Sequence, residues 1–219
     1  SSALGAGPKT VAIQSGQRPS LVLDGSAGDI SLDSTISINT SSDSVAGAIL
    51  NEAGNNTISG PINLRNGQGG NTRINVLTGS LRLEGTISAA ADATSTRTLI
   101  LDGAGLSNLV SGPLTNATTG NLQLLALAKT GSGTWTLNAA NSYTGVTEVQ
   151  AGTLKLGAAA SIASSSSITL FSGATFDTSA VVGFTLAGQT LAGSGTVFGD
   201  VSFSTGSVLN PGGSADAGS

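Results

Sequence analysis

The sequence predicts an all-β fold, and within that class a parallel β-helix (β-solenoid) that spans residues 1–219 as a single domain. Three observations lead to this prediction. Short runs of alternating apolar and polar residues are separated by Gly, Asn and Asp, as in strands joined by tight turns. Several segments recur in order at an offset of about 52 residues. The composition is poor in both charged and aromatic residues.

The composition argues against disorder and against a conventional globular core. Charged residues make up 9% of the chain, against roughly 25% in typical soluble domains. A disordered chain is usually more highly charged and poorer in Leu, Ile and Val. Aromatic residues make up only 3%, and there are 32 glycines. These values favour many tight turns around thin layers of small aliphatic side chains.

The predicted strands are short and end at turn residues. The run L-V-L at 21–23 and the run L-I-L at 99–101 are each followed by Asp-Gly, which favours a turn. Alternation within each run places one face inward and leaves the other to Ser, Thr or a long charged side chain. The Ala-rich stretches 89–93 and 158–163 are expected to form at most one helical turn each.

Internal repetition indicates a stacked architecture. We interpret residues 1–125 as degenerate copies of a unit about 52 residues long, each unit holding two or three coils of a solenoid. Coils of roughly 20–25 residues are expected. The matching segments are I-L-N-E-A-G at 49–54 with I-L-D-G-A-G at 100–105, S-G-P-I at 59–62 with S-G-P-L at 111–114, and T-G-S at 78–80 with T-G-S at 130–132.

Residues that carry catalytic chemistry are scarce. The chain has no His and no Cys, which excludes a Ser-His-Asp or Cys-His site. Asp24, Asp29 and Asp33 are close in sequence, but Asp24 and Asp102 follow equivalent L-x-L runs, so a turn role is favoured. The stretch G-G-N-T-R at 69–73 lacks the acid of the calcium-binding G-G-x-G-x-D signature. Neither an enzyme site nor a metal or other cofactor is therefore expected.

The charge and hydropathy patterns also limit the partners. Only eight Lys and Arg are present and the net charge is −4, which argues against a nucleic-acid partner. No run of 18 apolar residues predicts a membrane-spanning helix. The chain begins at Ser1 without Met or an apolar leader, as expected after removal of a signal peptide or for an excised fragment.

All aromatic residues lie in the last part of the chain, from Trp135 onward. Four of the five phenylalanines alternate with polar residues beside other apolar positions, which predicts that they fill a wider core. Trp135 and Tyr143 are the better candidates for exposure, and they are the predicted binding residues for a surface glycan. For Trp135 the parity of a single strand decides which face it occupies.

We interpret residues 126–157 as a separate repeat unit, and a specific motif occupies residues 127–157 of it. It reads L-A-K-T-G-S-G-T-W-T-L at 127–137, N-S-Y-T-G-V-T at 141–147 and V-Q-A-G-T-L-K-L-G at 149–157. This stretch closely resembles the autotransporter-associated β-strand repeat, also called the passenger-associated transport repeat. Val146 stands where a second Gly is common. Residues 193–197 and 209–215 resemble the segment that often follows this repeat. The region 1–125 shares the general pattern of short strands and turns but not the motif itself.

The resemblance implies a β-helical passenger that is exported to the bacterial surface and a repeat that aids its secretion or folding. It does not imply an enzyme. A secreted protein, extracellular or on the bacterial cell surface, is therefore expected, and two functions remain open. One is a structural stalk or fibre subunit. The other is an adhesin or passenger-secretion module that binds glycans or a host surface through an exposed solenoid face.

Self-assembly is the mechanism expected for the structural role. Residues 158–219 are interpreted as C-terminal coils with an uncapped end, close to the turn at 206–213, and such an end is an exposed sheet edge. An edge of this kind can accept a strand from a second copy, and head-to-tail contacts that do not close grow a filament. The residues predicted to carry assembly are Thr10, Val11, Ala12, Ile13, Val208, Leu209, Asn210 and Pro211.

Overall fold

A computed structural model describes residues 7–14, 16, 18–67 and 70–212. Gly69 of the calcium-like stretch and Gly213 of the C-terminal turn lie outside the described residues. The described chain forms 24 strands and no helix, so it has no helix long and apolar enough to cross a membrane. The strands are β1 (Lys9–Ile13), β2 (Leu21–Asp24), β3 (Ser31–Leu32), β4 (Ile36–Thr40), β5 (Ile49–Ala53), β6 (Asn55–Ile58), β7 (Ile62–Leu64), β8 (Asn71–Val76), β9 (Ser80–Leu83), β10 (Ile87–Ala89), β11 (Arg97–Gly103), β12 (Asn108–Val110), β13 (Leu114–Thr115), β14 (Leu125–Lys129), β15 (Thr134–Leu137), β16 (Thr147–Val149), β17 (Thr153–Leu156), β18 (Ser167–Leu170), β19 (Thr175–Asp177), β20 (Thr185–Leu186), β21 (Thr190–Gly193), β22 (Thr196–Phe198), β23 (Ser202–Phe203) and β24 (Val208–Pro211).

These strands confirm the predicted parallel β-solenoid. Every pair of neighbouring strands is parallel, and each strand inside a sheet pairs with equivalents one coil earlier and one coil later. Sheet A is β1-β4-β7-β10-β13, and sheet B is the nine-stranded β2-β5-β8-β11-β14-β16-β18-β21-β24. Sheet C is β22-β19-β17-β15-β12-β9-β6-β3, and a short sheet D is β20-β23. Because pairing is between coils, the backbone groups of one coil are satisfied by its neighbours.

The register explains the repeat seen in the sequence. Ile49 pairs with Ile74, and Ile74 pairs with Leu101. The offset of the internal repeat therefore corresponds to two coils on the same sheet. The sequence separation between paired residues gives the length of a coil. This separation is larger before β14, as between Ile74 and Leu101, than after it, as between Ile168 and Leu191. The coil length expected from the sequence is thus too short for the first half of the stack.

A single apolar core runs the length of the stack. Inward positions of successive strands form ladders of aliphatic residues, and the first half of the core contains no aromatic ring. The predicted core position holds for Phe176 and Phe184, whose rings meet edge to face at 5.7 Å. The prediction of a core position is wrong for Phe198, which is 60% exposed on the outer face of β22. Phe203 on β23 is 47% exposed.

Close approach between coils requires glycine at several corners. Gly79 has φ +72°, and a Cβ built there would clash with the carbonyl oxygen of Gly54 in the preceding coil. An L-residue is strained at this φ even without the clash. The acids singled out in the sequence also serve turns, since Asp24 accepts a hydrogen bond from the backbone N–H of Ser26 at 3.0 Å and Asp33 accepts one from that of Thr35 at 2.9 Å.

Candidate functional site

Trp135 and Tyr143 are buried, so the expectation that they stand exposed is wrong. Trp135 is 0% exposed and Tyr143 is 1% exposed. Trp135 shares the inward parity of Leu137 on β15, whereas Thr134 and Thr136 alternate with them and face outward. The indole N–H donates to the carbonyl of Asp102 at 3.0 Å. Neither ring is placed where it can contact a glycan, and a glycan-binding role requires another face.

The Tyr143 hydroxyl belongs to a buried chain of hydroxyls. It lies 2.7 Å from Thr147 Oγ1, which lies 2.8 Å from Ser165 Oγ. Ser165 Oγ then donates to the carbonyl of Gly145 at 2.9 Å. Burial raises the pKa of Tyr143 well above its ordinary value, and the hydrogen bonds only partly oppose this. The phenol is therefore a neutral link between coils.

Lys129 is the residue with the least expected environment. It ends β14, all five residues of which are buried, and its own side chain is 0% exposed. The ammonium donates to three carbonyl oxygens, those of Thr130, Gly131 at 2.8 Å and Ala151 at 3.0 Å. Burial lowers the pKa of Lys129 to about 8, against the smaller opposing effect of Asp102. Sequence reasoning missed this role, and the K-T-G turn that follows the strand was the available signal.

The side-chain amides of Asn108 and Asn141 each bond to backbone groups at a corner of the solenoid. Asn108 Oδ1 accepts from the N–H of Leu81 in the coil below, and Asn108 Nδ2 donates to carbonyls at Gly105 and Thr134. Asn141 repeats the pattern at another corner, with acceptors on its own coil and on the next coil. Each amide therefore supplies hydrogen bonds where the regular ladder is interrupted. Asn56 precedes Asn108 by the offset of the internal repeat, so the repetition could have revealed these residues.

The predicted assembly residues form strands at the two ends of the described stack. Val11 and Ile13 of β1 point toward the core, with Ile13 buried, while Thr10 and Ala12 face outward. Within the part of the chain that the structure describes, these four residues pair with β4 alone. At the other end, β24 consists of Val208, Leu209, Asn210 and Pro211, which are all exposed. Its one partner among residues 7–212 as described is β21.

Residues 127–156 match the family model of the passenger-associated transport repeat. This match confirms the resemblance seen in the sequence, for that segment of the chain. No curated protein and no solved structure matches the chain significantly. The repeat and the solenoid fold together fit an autotransporter passenger-like surface protein.

The passenger-associated transport repeat coincides with a change in cross-section. Sheet A ends at β13, directly before it. Among the described residues, the third side of the next coils is held by the isolated bridge between Ala140 and Ser161, until sheet D begins. Lys129 lies at the turn between sheets B and C, but Asn141 and Tyr143 lie on the side where a regular strand ladder is missing. Their side-chain bonds supply the connections between coils there.

Proposed function

We propose that this chain is a non-enzymatic extracellular structural protein, a subunit of a surface stalk or fibre that assembles head-to-tail through the two ends of its solenoid. The observation that carries the proposal is the state of the last described coil. Leu209 and Phe203 stand directly above Leu191 and Leu186 in their ladders. The lower pair are 4% and 0% exposed, whereas Leu209 and Phe203 are 52% and 47% exposed. These are core positions that lack a covering coil within the described residues.

The first described coil of a second copy has the features required to pack on the last described coil. Among the described residues, β1, β2 and β3 each lack a partner on one edge, one strand for each side of the solenoid, and so do β23, β24 and β22 of the last coils. All strands run parallel, so a second copy placed head-to-tail continues each sheet without a change of direction. The strands that would meet in sheet B, β24 and β2, both have four residues. Open edges of this kind are templates for pairing.

Apolar side chains support the same match. Val11, Leu21 and Ile30 of the first coil are only partly buried and pack against the end of the core. They would meet the exposed ladder positions at the other end of a second copy. Such a contact is heterologous and does not close, so it grows a filament rather than a dimer.

The test is negative-stain electron microscopy and light scattering of the purified chain at rising concentration. We expect filaments with an axial repeat of about 43 Å, from nine strands of sheet B at ~4.8 Å each. Leu209→Lys should abolish them, because it places a charge in the contact. Leu106→Lys is the matched control, since Leu106 is 73% exposed at a corner away from both ends. A monodisperse monomer at every concentration, or filaments of Leu209→Lys like those of the unaltered chain, would refute the proposal.

The matched repeat favours a second role, in passenger export. Its description names passenger transport, and we propose that its buried side-chain bonds help the solenoid to fold after secretion. Lys129→Met combined with Asn141→Ala should then lower the secreted amount, measured against Asn121→Ala, which removes a bond at an exposed corner. Equal secretion of the two variants would contradict this role.

A further inference from the structure

A polar groove runs along the outer face of sheet A. Its volume is about 390 Å³, within the range of ~300–1,000 Å³ that is typical of small-molecule sites. Asn39, Asn63 and Ser88 line it from three successive strands, β4, β7 and β10. Arg65 and Asp92 also line a second hollow that extends the groove toward β1. The groove is therefore elongated along the stack, and its main volume lies over β4, β7 and β10 rather than over an end strand.

The side chains on the strands are held in a fixed order. Asn63 Nδ2 donates to Asn39 Oδ1 at 2.8 Å, and Ser88 Oγ lies 3.3 Å from Asn63 Oδ1. Parallel pairing in register places these groups on consecutive strands, at the ~4.8 Å spacing of the sheet. Asn39 Nδ2 has no hydrogen-bond partner among the described residues, so its two protons are available to a ligand.

Arg65 and Asp92 form an ion pair beside these amides. Arg65 Nε and Nη2 both donate to Asp92 Oδ2, at 2.9 and 2.6 Å. The hydrogen bond from Arg65 is the main reason that the pKa of Asp92 lies below its ordinary value. The Asp92 carboxylate also receives backbone hydrogen bonds from Asn66 and from Asp92 itself. Arg65 Nη1 makes no side-chain hydrogen bond among the described residues, and both side chains are nearly half exposed. The groove thus offers a guanidinium donor and a carboxylate acceptor with no net charge.

We propose that this groove binds a neutral oligosaccharide. Each sugar hydroxyl is both a donor and an acceptor, so a pair of neighbouring hydroxyls can accept from Arg65 or Asn39 and donate to Asp92. The small side chains Ala90 and Ala91 leave room for the C–H face of a sugar ring beside these polar groups. An anionic glycan would meet Asp92 and is disfavoured. The site lies on a lateral face, so its ligand leaves the ends free for assembly.

The test is a glycan array that carries neutral and anionic oligosaccharides, followed by calorimetric titration of a soluble neutral glycan that binds. Asp92→Asn should weaken that binding at least tenfold, because the carboxylate acceptor and the order imposed on Arg65 are lost. Glu84→Gln is the matched control, since Arg82 Nε contacts Glu84 Oε1 at 2.5 Å in another exposed pair on sheet C. Circular dichroism and the melting temperature verify that each variant is folded.

Three results would overturn the proposal: no binding of neutral glycans, a preference for anionic glycans, or unchanged affinity of Asp92→Asn. The outcome is separable from that of the assembly proposal, because Leu209→Lys should retain glycan binding and Asp92→Asn should retain filaments. Arg65→Gln provides a second variant within the groove and should weaken binding in the same direction.

Discussion

The burial of Lys129 predicts that the protein becomes more stable as the pH rises from 8 to 10. In the folded protein the pKa of Lys129 is about 8, whereas that of an unfolded lysine is about 10.4. Between these values the unfolded chain binds more protons than the folded chain, so the free energy of unfolding increases with pH. The total gain is about 3 kcal/mol, at no more than ~1.36 kcal/mol per pH unit.

Tyr143 limits this gain at high pH. Its pKa is raised by burial, so above about pH 10 the unfolded chain loses a proton that the folded chain keeps. Stability contributed by the neutral phenol is then lost as the pH rises further. The free energy of unfolding should therefore pass through a maximum near pH 10. His and Cys are absent, which removes the side chains that most often obscure this range.

The assay is urea unfolding at pH 7, 8, 9, 10 and 11, with the slope m compared across the series. Lys129→Met should remove the rise between pH 8 and 10, and Tyr143→Phe should remove the decline above it. Lys155→Met is the control, because Lys155 lies on the outer face of β17 and pairs with Asp177 at 2.9 Å. A flat or falling curve between pH 8 and 10 in the unaltered protein, or a rise that persists in Lys129→Met, would refute the reasoning.

Two further predictions concern the contacts between coils. Gly79→Ala should cost about 2 kcal/mol more than Gly173→Ala in thermal or urea unfolding, because both glycines have positive φ but only Gly79 meets backbone of the preceding coil. An equal loss of free energy of unfolding in the two variants would show that the positive φ, and not the contact with the preceding coil, determines the cost. Asn108→Ala should cost roughly 2–3 kcal/mol, since it leaves buried backbone groups unpaired. Asn121→Ala loses one partly buried bond from an exposed residue and should cost less than ~1 kcal/mol.

The fold could be predicted from the sequence because each coil repeats the same local rules. Alternation predicted the strands, Asp-Gly pairs predicted turns, and the offset of the internal repeat reflects two coils, as the pairing of Ile49 with Ile74 and of Ile74 with Leu101 shows. The face of Trp135 was also within reach, because Leu137 has the same parity and an apolar strand residue usually faces the core. The predicted exposure of Trp135 followed from a binding role for aromatic residues and disagreed with this alternation.

Other features depend on stacking and could not be predicted from local patterns. Tyr143 lies outside any strand, so alternation does not determine its direction. The end of sheet A at β13 follows from the pairing of distant segments. The groove on sheet A arises because Asn39, Asn63 and Ser88, each one coil after the last, become neighbours only when the coils are in register. A single sequence without an exact repeat does not determine that register.

The energetics at the last described coil limit the head-to-tail assembly that we propose. Covering a large apolar side chain contributes ~1.5–3 kcal/mol, and both Leu209 and Phe203 are only about half exposed. The free energy gained by burying these two side chains is therefore smaller than the ~4–15 kcal/mol that association costs in lost translational and rotational freedom. Backbone pairing along the edges of β22, β23 and β24 must therefore contribute as well. A variant that blocks a single edge should consequently weaken assembly as much as one that removes an apolar contact.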